Sequence, residues 1–268
     1  MSELRFALGA ALGPAYMVER EVRPVGGCRL FVALELPAGA ELLVKVLPGE
    51  LSLAVDAARF DRELLLLADR LGDPNLVAPR GCGRAGSFVY HTRRFVDGTT
   101  LRAWLARNGE LPLHRAVDII RSVLAALAHA HAKNVAHGDL KPENVLLAEK
   151  QVLVVDSGVV EAVGRSLVAG TPGMARAALC APAYVPPERR GSDDAAGPGD
   201  DMFAVGVLAH EMLTGHPPAP ESEAIDEVRA VPAWFGELIR RCLTAEPAGR
   251  WGDAAAALAS LSRGSWGG

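Results

Sequence analysis

The amino-acid sequence predicts an α+β protein of two lobes, of which the first is rich in β-strands and the second is mainly α-helical. From about residue 16 to residue 95, short β-type runs alternate with Gly and Pro turns. After Thr100, the apolar residues recur instead at the spacing of amphipathic helices. We therefore expect an N-terminal extension over 1–15, a first lobe over 16–96, a second lobe over 97–263 and a tail over 264–268.

The first lobe is predicted as a set of strands interrupted by one helix. Leu64, Leu67 and Leu71 fall on a single face of a helix that we place at Val55–Leu71. The Ala- and Leu-rich stretch before residue 16 favours a further helix that leads into this lobe rather than a signal peptide. The predicted strands are Arg29–Leu36, Glu41–Leu47, Leu76–Gly81 and Ser87–Phe95.

The second lobe is predicted to be helical around two short strands. Its longest helix, Leu113–Lys133, carries an apolar stripe that includes Val117, Ile120, Leu124 and Leu127. The Gly- and Pro-rich stretch from Gly158 to Gly199 predicts a long loop. The remaining predicted elements are strands at Val145–Leu147 and Val152–Val155 and helices at Asp201–Thr214, Trp234–Thr244 and Asp253–Leu261.

The composition excludes several classes of protein. The chain has 28 Lys and Arg against 32 Asp and Glu, a net charge of −4, so no broad basic surface for nucleic acid or anionic lipid is expected. No stretch approaches the roughly 20 apolar residues that a membrane span needs. The four cysteines lie far apart without metal-ligand spacing, which indicates reduced thiols in a cytoplasmic protein.

The most specific stretch of the sequence is HGDLKPENVLL, which begins at His137. Phosphoryl transfer needs an acid that orients the acceptor hydroxyl, a cation near the γ-phosphate and oxygen ligands for Mg²⁺. Asp139 can take the first role, Lys141 the second and Asn144 the third. A second carboxylate for the metal is Asp156, which directly follows a Val-rich strand. The pattern therefore predicts phosphoryl transfer.

From about Tyr16 to Trp251, the sequence resembles the bacterial serine/threonine protein kinases of the eukaryotic-like (Hanks-type) superfamily. Besides the stretch above, the resemblance rests on LLVK at Lys45, RFDRELLLL at Glu63, AYVPPE at Glu188 and EPAGR at Arg250. It implies the bilobal protein-kinase fold with one C-helix in the first lobe. It also implies MgATP, or MnATP, and a protein Ser or Thr hydroxyl as the reacting partners.

The resemblance also implies how the site residues are used. Lys45, fixed by Glu63, would hold the α- and β-phosphates, and Asn144 and Asp156 would bind Mg²⁺. Adenine would lie between Leu30 and Leu146. The full set implied to form the ATP site is Gly26, Gly27, Leu30, Leu43, Lys45, Glu63, Phe95, Val96 and Leu146. The residues implied to support the catalytic Asp139 and Lys141 are His137, Asp201, and Glu188 with its partner Arg250.

The glycine-rich loop of the family is degenerate in this chain. Counting back from Lys45, its three glycines should fall at positions that hold Arg23, Val25 and Cys28. Gly26 and Gly27 still permit a tight turn, although the close backbone approach to phosphate is compromised.

Further departures lie deeper in the predicted site. Leu43 replaces the usual Ala above the adenine, and Ser157 replaces the Phe of the DFG motif. Gly138 replaces the Arg before the catalytic Asp, which weakens the case for switching by loop phosphorylation. Arg93 falls at an apolar position behind the adenine, so its guanidinium must find a carboxylate or point outward.

Two alternatives to an active kinase follow from these observations. The altered glycine loop, Leu43, Arg93 and Ser157 favour a pseudokinase that acts as a binding or scaffold module. The HGDL stretch alone also fits small-molecule phosphotransferases of related fold, such as aminoglycoside- or choline-kinase-like proteins. Because the sequence shows no membrane span, we expect a soluble kinase controlled by a regulatory protein partner or by homodimerisation.

Overall fold

A computed structural model describes residues 3–219 and 225–263 of the chain. Its first lobe contains six strands, β1 Tyr16–Val25, β2 Cys28–Glu35, β3 Ala40–Val46, β4 Leu76–Val77, β5 Pro79–Ala85 and β6 Phe88–Arg94. All but β4 form one antiparallel sheet in the order β1-β2-β3-β6-β5. The predicted strand Leu76–Gly81 is therefore wrong as a single element, because its two halves belong to different sheets.

Lys45 lies on the central strand β3 of this sheet. It is paired with Leu30 on β2 and with His91 on β6. The alternating residues Leu42 and Val44 point to the opposite face, where they are buried in a separate apolar cluster. The sheet register therefore places Lys45 at the middle of the face that looks toward the second lobe.

The N-terminal extension is a helix, α1 Glu3–Leu12, that covers the outer face of the sheet. Its Leu4 and Leu8 are buried against Val18, Phe31 and other residues of the strands. The Arg5 guanidinium donates hydrogen bonds to the carbonyl of Val18. The expected helix before the first strand is thus present and closes one side of the lobe.

The helical part of the first lobe consists of two elements, α2 Gly49–Ala54 and α3 Ala57–Arg70. The prediction of one helix from Val55 to Leu71 misses this division. The break comes at Asp56, whose side chain accepts a hydrogen bond of 2.9 Å from the backbone N–H of Arg59 and caps α3. α3 is the expected C-helix and carries Glu63.

The second lobe is mainly helical. Its helices are α4 Leu101–Asn108, α5 Leu113–Ala132, α6 Val159–Arg165, α7 Pro172–Leu179, α8 Pro198–Thr214, α9 Ile225–Val228, α10 Ala233–Cys242 and α11 Ala254–Arg263. Its strands are β7 Thr99–Thr100, β8 Val145–Leu147 and β9 Val152–Val155, which join β4 in a sheet of order β4-β9-β8-β7. Because β4 pairs with β9, this small sheet connects the two lobes.

The core of the second lobe lies between α5 and α8. The predicted stripe of Val117, Ile120, Leu124 and Leu127 is buried, and so is every residue of α8 from Asp201 to Leu213. Within the described ranges, none of the helices has the length and apolar character needed to cross a membrane.

The predicted loop from Gly158 to Gly199 is wrong for α6 and α7. Val159, Val160 and Val163 put apolar side chains on one side of α6, and these pack against Phe60 and Leu64 of α3. α7 begins with Pro172 at a position where a missing N–H costs nothing. The division of the chain at residues 15 and 96 stays a prediction, and the predicted tail 264–268 lies outside the described residues.

Candidate active site

The stretch that begins at His137 forms a buried loop between α5 and β8. The Lys141 ammonium lies 2.9 Å from Oδ1 and 2.7 Å from Oδ2 of Asp139. The Nδ2 of Asn144 donates to Oδ2 of Asp139 over 3.1 Å and to its backbone carbonyl over 2.8 Å. Burial raises the pKa of Asp139, although the charge of Lys141 opposes this. The three predicted residues are thus brought together.

The buried Asp201 at the start of α8 fixes the backbone of this loop. Its carboxylate accepts hydrogen bonds of 2.7 Å from the backbone N–H of His137 and 2.9 Å from that of Gly138. The same carboxylate lies 2.9 Å from Nε2 of His131 on α5. The bracing contact expected for Asp201 is therefore formed, with His131 as an additional partner that the sequence did not indicate.

His137 links the loop to the strand that precedes Asp156. Its Nδ1 accepts a hydrogen bond of 3.2 Å from the backbone N–H of Asp139, and its Nε2 lies 3.0 Å from the carbonyl of Val155. Burial lowers the pKa of this imidazole. A neutral ring can make both contacts at once, accepting at one nitrogen and donating at the other.

Asp156 and Lys45 form a buried ion pair across the cleft, with 2.6 Å between Nζ and Oδ2. Burial would lower the pKa of Lys45, but the charges of Asp156 and Asp139 and the hydrogen bond to Asp156 together outweigh burial, and the pKa is raised. For Asp156, burial would raise the pKa, but the charges of Lys45, His91 and Arg93 hold it well below its ordinary value. Both groups are therefore ionised at neutral pH.

The expected pair between Lys45 and Glu63 is not formed. Glu63 instead lies 3.6 Å from the guanidinium of Arg165 at the end of α6. The packing of α6 against α3 gives the physical reason, because Phe60 and Leu64 are the residues of α3 that are buried there. Lys45, left without Glu63, is neutralised by Asp156.

Arg93 is buried behind the Lys45–Asp156 pair. Its Nε lies 3.7 Å from Oδ1 of Asp156, and its Nη1 donates to the carbonyl of Arg94. We expected the Arg93 guanidinium either to pair with a carboxylate or to point outward, and it pairs with the carboxylate of Asp156. His91, two residues earlier on β6, is also buried, and its ring meets Phe60 edge to face.

The roof and the floor of the cleft are two apolar clusters. Leu30 and Leu43 belong to the roof, and Phe95 packs against it. Leu146 belongs to the floor, and Val96 packs against that cluster. The consecutive residues Phe95 and Val96 thus connect the two surfaces between which the adenine was expected.

The glycines of the degenerate loop form the turn between β1 and β2. Val25 is paired with Cys28, so Gly26 and Gly27 are the two residues of a tight hairpin. Gly26 has φ of +56°, a conformation that favours glycine. A Cβ at Gly27 would lie 3.1 Å from Pro48. The expected tight turn is therefore present.

Leu179, the last residue of α7, enters the cleft from the second lobe. Its side chain packs against the roof cluster, and its carbonyl accepts a hydrogen bond of 2.7 Å from Lys141. The cavity that remains between Lys45, Asp139 and Asp156 measures about 10 Å³, which is room for no more than one water molecule. Leu179 is not among the predicted site residues, because the Gly- and Pro-rich pattern predicted a loop at this position.

The end of the segment after α7 is tied to the second lobe by Glu188 and Arg250. The guanidinium forms two parallel hydrogen bonds of 2.6 and 2.9 Å to the carboxylate. It also lies 5.0 Å from the ring centre of Phe203 on α8. The sequence predicted this pair, and the structure brings the two residues together.

An ion-pair network around Arg102, which the sequence pattern did not predict, lies beside the site. Its guanidinium donates to Glu143 over 2.9 Å and to Glu211 over 2.6 Å, and the hydroxyl of Tyr184 donates to Glu211. The network joins α4, the loop that begins at His137 and α8. A signal was available, because Glu211 lies near the end of the mostly apolar stretch MFAVGVLAHEML, where a buried charge needs a partner.

Comparison with known proteins accounts for this arrangement. A family model described as the protein kinase domain matches residues 29–260. The chain belongs to the protein kinase family. The predicted membership of the protein kinase family and the predicted bilobal protein-kinase fold are therefore confirmed.

Bacterial kinases are among the relatives of this kinase domain. Serine/threonine-protein kinase PknL of Mycobacterium tuberculosis is 32% identical over 271 residues, which cover 94% of this chain and 66% of that protein. PrkC of Bacillus subtilis is 26% identical over 81% of this chain and 33% of that protein. The chain thus spans about two thirds of PknL and one third of PrkC.

Two solved structures show the same fold. The kinase domain of Mycobacterium tuberculosis PknI superposes with a TM-score of 0.73 at 22% identity, covering 93% of this chain and 95% of that one. Rad53 in complex with AMP-PNP gives a TM-score of 0.70 at 23% identity, covering 94% and 66%.

The donor atoms in this kinase domain fit the metal that such a fold implies. Asp156 offers a carboxylate and Asn144 an amide oxygen, and Mg²⁺ and Mn²⁺ prefer such hard oxygen ligands. Because Asn144 donates to Asp139 through Nδ2, its amide oxygen is directed away from that bond. These two residues therefore have suitable chemistry for Mg²⁺ or Mn²⁺.

Proposed function

We propose that this kinase domain transfers the γ-phosphoryl group of MgATP to a Ser or Thr hydroxyl of a protein substrate. The observation that carries the proposal is the buried, mutually hydrogen-bonded set of Asp139, Lys141 and Asn144. Catalysis of phosphoryl transfer depends mainly on positioned charges, and this chain retains them. The match to the protein kinase domain supports the same reaction.

The residues of the loop would act on the acceptor and on the transferred group. Asp139 would accept a hydrogen bond from the substrate hydroxyl and so orient its oxygen for attack. Lys141, which now donates to Asp139 and to Leu179, would offset the charge on the phosphoryl group. Both roles use donors and acceptors that the structure already holds in place.

Lys45, Asn144 and Asp156 would hold the nucleotide end of the reaction. Lys45 would bind the α- and β-phosphates after it leaves Asp156. Asn144 and Asp156 would hold Mg²⁺, which when bound neutralises charge on the phosphates. Release of Lys45 from Asp156 is therefore a required step in the proposed mechanism.

The cleft must also open before a nucleotide enters. The Leu179 side chain packs against the roof cluster, and its carbonyl accepts a hydrogen bond from Lys141. We propose that α7 moves out of the cleft and that Glu63 replaces Asp156 as the partner of Lys45. The proposed roles of Gly26, Gly27, Phe95, Val96 and Leu146 in binding ATP apply to that open state.

A second candidate function is a pseudokinase that binds a protein partner. The observation that favours it is the cleft filled by Leu179, in a chain with Arg23, Val25 and Cys28 at the family's glycine positions. A small-molecule phosphotransferase is disfavoured by the kinase-domain match and by the Glu188–Arg250 pair. We further propose a cytoplasmic location and control by a regulatory partner or a homodimer.

The first experiment is a thermal-shift titration of the chain with ATP, with and without Mg²⁺. ATP at 100 times its dissociation constant should raise the free energy of unfolding by about 2.7 kcal/mol. Asp139→Asn serves as the matched control, because it keeps the shape of the side chain. This variant should bind MgATP like the wild type and lose transfer of labelled phosphate to a protein substrate.

Two outcomes would contradict the kinase proposal. One is the absence of any Mg²⁺-dependent shift at millimolar ATP in a folded sample, which would favour the pseudokinase. The other is full phosphate transfer by Asp139→Asn, which would remove the role given to Asp139.

A further inference from the structure

Arg93 is a buried cation on a rigid part of the first lobe. Its residue is 8% exposed and belongs to β6, whose backbone is paired on one side with Leu43 of β3 and on the other with Pro79 of β5. Because the backbone of Arg93 is hydrogen-bonded into the sheet on both sides, we expect Arg93 to keep its position when the activation segment, residues 156–188, moves. Arg93 can therefore serve as a fixed point behind the cleft.

The two carboxylate oxygens of Asp156 have different partners. Oδ2 lies 2.6 Å from the Lys45 ammonium, and Oδ1 lies 3.7 Å from Nε of Arg93. The Arg93 Nε has no hydrogen-bond partner among the residues described, so its attraction to Asp156 is purely ionic here. Departure of Lys45 would uncover Oδ2 and leave Oδ1 facing the guanidinium.

Among the described residues, Lys45 and Arg93 are the two whose side chains form ion pairs with the Asp156 carboxylate, so Arg93 is the partner that remains once Lys45 leaves. The Asp156 backbone has φ of +64°, in the left-handed region that Asp adopts more often than most residues with a side chain. The neighbouring Ser157 is buried, yet its hydroxyl has no hydrogen-bond partner within the described ranges. Ser157 thus supplies neither a polar anchor nor the large apolar side chain of the DFG motif.

We infer that Arg93 is a positioning residue for Asp156: it holds Oδ1 while Lys45 leaves, and so presents Oδ2 to the metal. The inference rests on the proposed function, in which Asp156 is a metal ligand. Removal of a group that orients a metal ligand commonly lowers metal affinity about 10- to 100-fold. Arg93 would carry out this task from the sheet, independently of the residue that follows Asp156.

The test compares the wild type with Arg93→Met and Arg93→Lys in a Mn²⁺ titration at fixed ATP. Bound Mn²⁺ is measured by electron paramagnetic resonance, which does not depend on catalysis. Arg93→Met should raise the Mn²⁺ concentration for half-saturation about 10-fold or more. Arg93→Lys, which keeps the charge, should recover most of the affinity.

An unchanged half-saturation concentration of Mn²⁺ in folded Arg93→Met would overturn the inference. A lower concentration would also overturn it, because it would mean that Arg93 competes with the metal. Either result would leave the proposed function intact as long as the wild type binds MnATP. A wild type that binds no MnATP would overturn both.

A second measurement uses the protein without nucleotide or metal. Asp156→Asn leaves Lys45 and Arg93 as buried cations without their carboxylate, so Arg93→Met should relieve repulsion there. Arg93→Met is therefore expected to raise the melting temperature more in the Asp156→Asn protein than in the wild type. Equal shifts in the two backgrounds would show that the residues are not coupled, and would also overturn the inference.

Discussion

The ammonium of Lys45 lies 2.6 Å from a carboxylate oxygen of Asp156, so the residue proposed to hold phosphate and the residue proposed to hold metal neutralise each other. Both side chains are almost inaccessible to solvent. Glu63, the expected partner of Lys45, lies instead 3.6 Å from Arg165. This exchange of partners, together with Leu179 in the cleft, defines a closed arrangement of the kinase domain.

Arg165→Ala should favour the open arrangement by releasing Glu63. The guanidinium is about half exposed, so the lost ion pair contributes no more than about 1 kcal/mol. We expect the apparent affinity for MgATP to rise by at most about fivefold in a thermal-shift titration. Arg165→Lys keeps the charge and serves as the control. Weaker binding by Arg165→Ala would contradict a role of this pair in closing the cleft.

Much of the candidate site could be predicted from the sequence, because the contacts in the loop that begins at His137 are local and the family resemblance identified one distant ion pair. Asp139, Lys141 and Asn144 lie within six residues of one another, and their hydrogen bonds follow from that spacing. Glu188 and Arg250 are distant in sequence, but the family resemblance identified both, and the structure brings them together.

The closed cleft could not be predicted, because it depends on how separate helices pack. The pairing of Lys45 depends on the position of α3, and that position depends on the apolar side chains of α6. Val159, Val160 and Val163 have helical spacing, but the many Gly and Pro residues around them indicated a loop. Leu179 and His91 were missed for the same reason, since nothing local shows which side chains fill a cleft.

Acid should destabilise the protein through His91. Burial lowers the pKa of this imidazole from 6.5 to about 4 in the folded chain, although the charge of Asp156 opposes the shift. The unfolded chain therefore binds more protons between these values. The free energy of unfolding should fall by up to about 3 kcal/mol as the pH drops from 6.5 to 4.

His91→Leu provides the measurement of this pH effect. Neither ring nitrogen of His91 has a hydrogen-bond partner among the described residues, so an apolar side chain should be tolerated or stabilising. Urea unfolding of both proteins across this pH range should show a smaller loss of stability for His91→Leu. Parallel pH profiles would mean that His91 is not the group that titrates.

Arg250→Met should destabilise the second lobe strongly. The Arg250 side chain has no solvent exposure, and its removal would leave Glu188 without the partner of its two hydrogen bonds. Breaking one side of a buried ion pair costs about 3–5 kcal/mol, and the partial exposure of Glu188 favours the lower end. Urea unfolding measures the loss, and Arg250→Lys should restore only part of it. A loss similar to that of a surface substitution would contradict the structural role.

Leu179→Ala tests whether the side chain in the cleft opposes nucleotide binding. The Leu179 side chain is half-buried against the roof, so its truncation to Ala should destabilise the closed arrangement by about 1 kcal/mol. The equilibrium between the closed and open arrangements should shift toward the open one by the same free energy. The affinity for MgATP should then rise about fivefold in a thermal-shift titration, while the free energy of unfolding without nucleotide falls. Leu179→Met retains the volume and should resemble the wild type. If Leu179→Ala bound MgATP more weakly than Leu179→Met, the side chain would be a contact for the nucleotide rather than an obstacle to it.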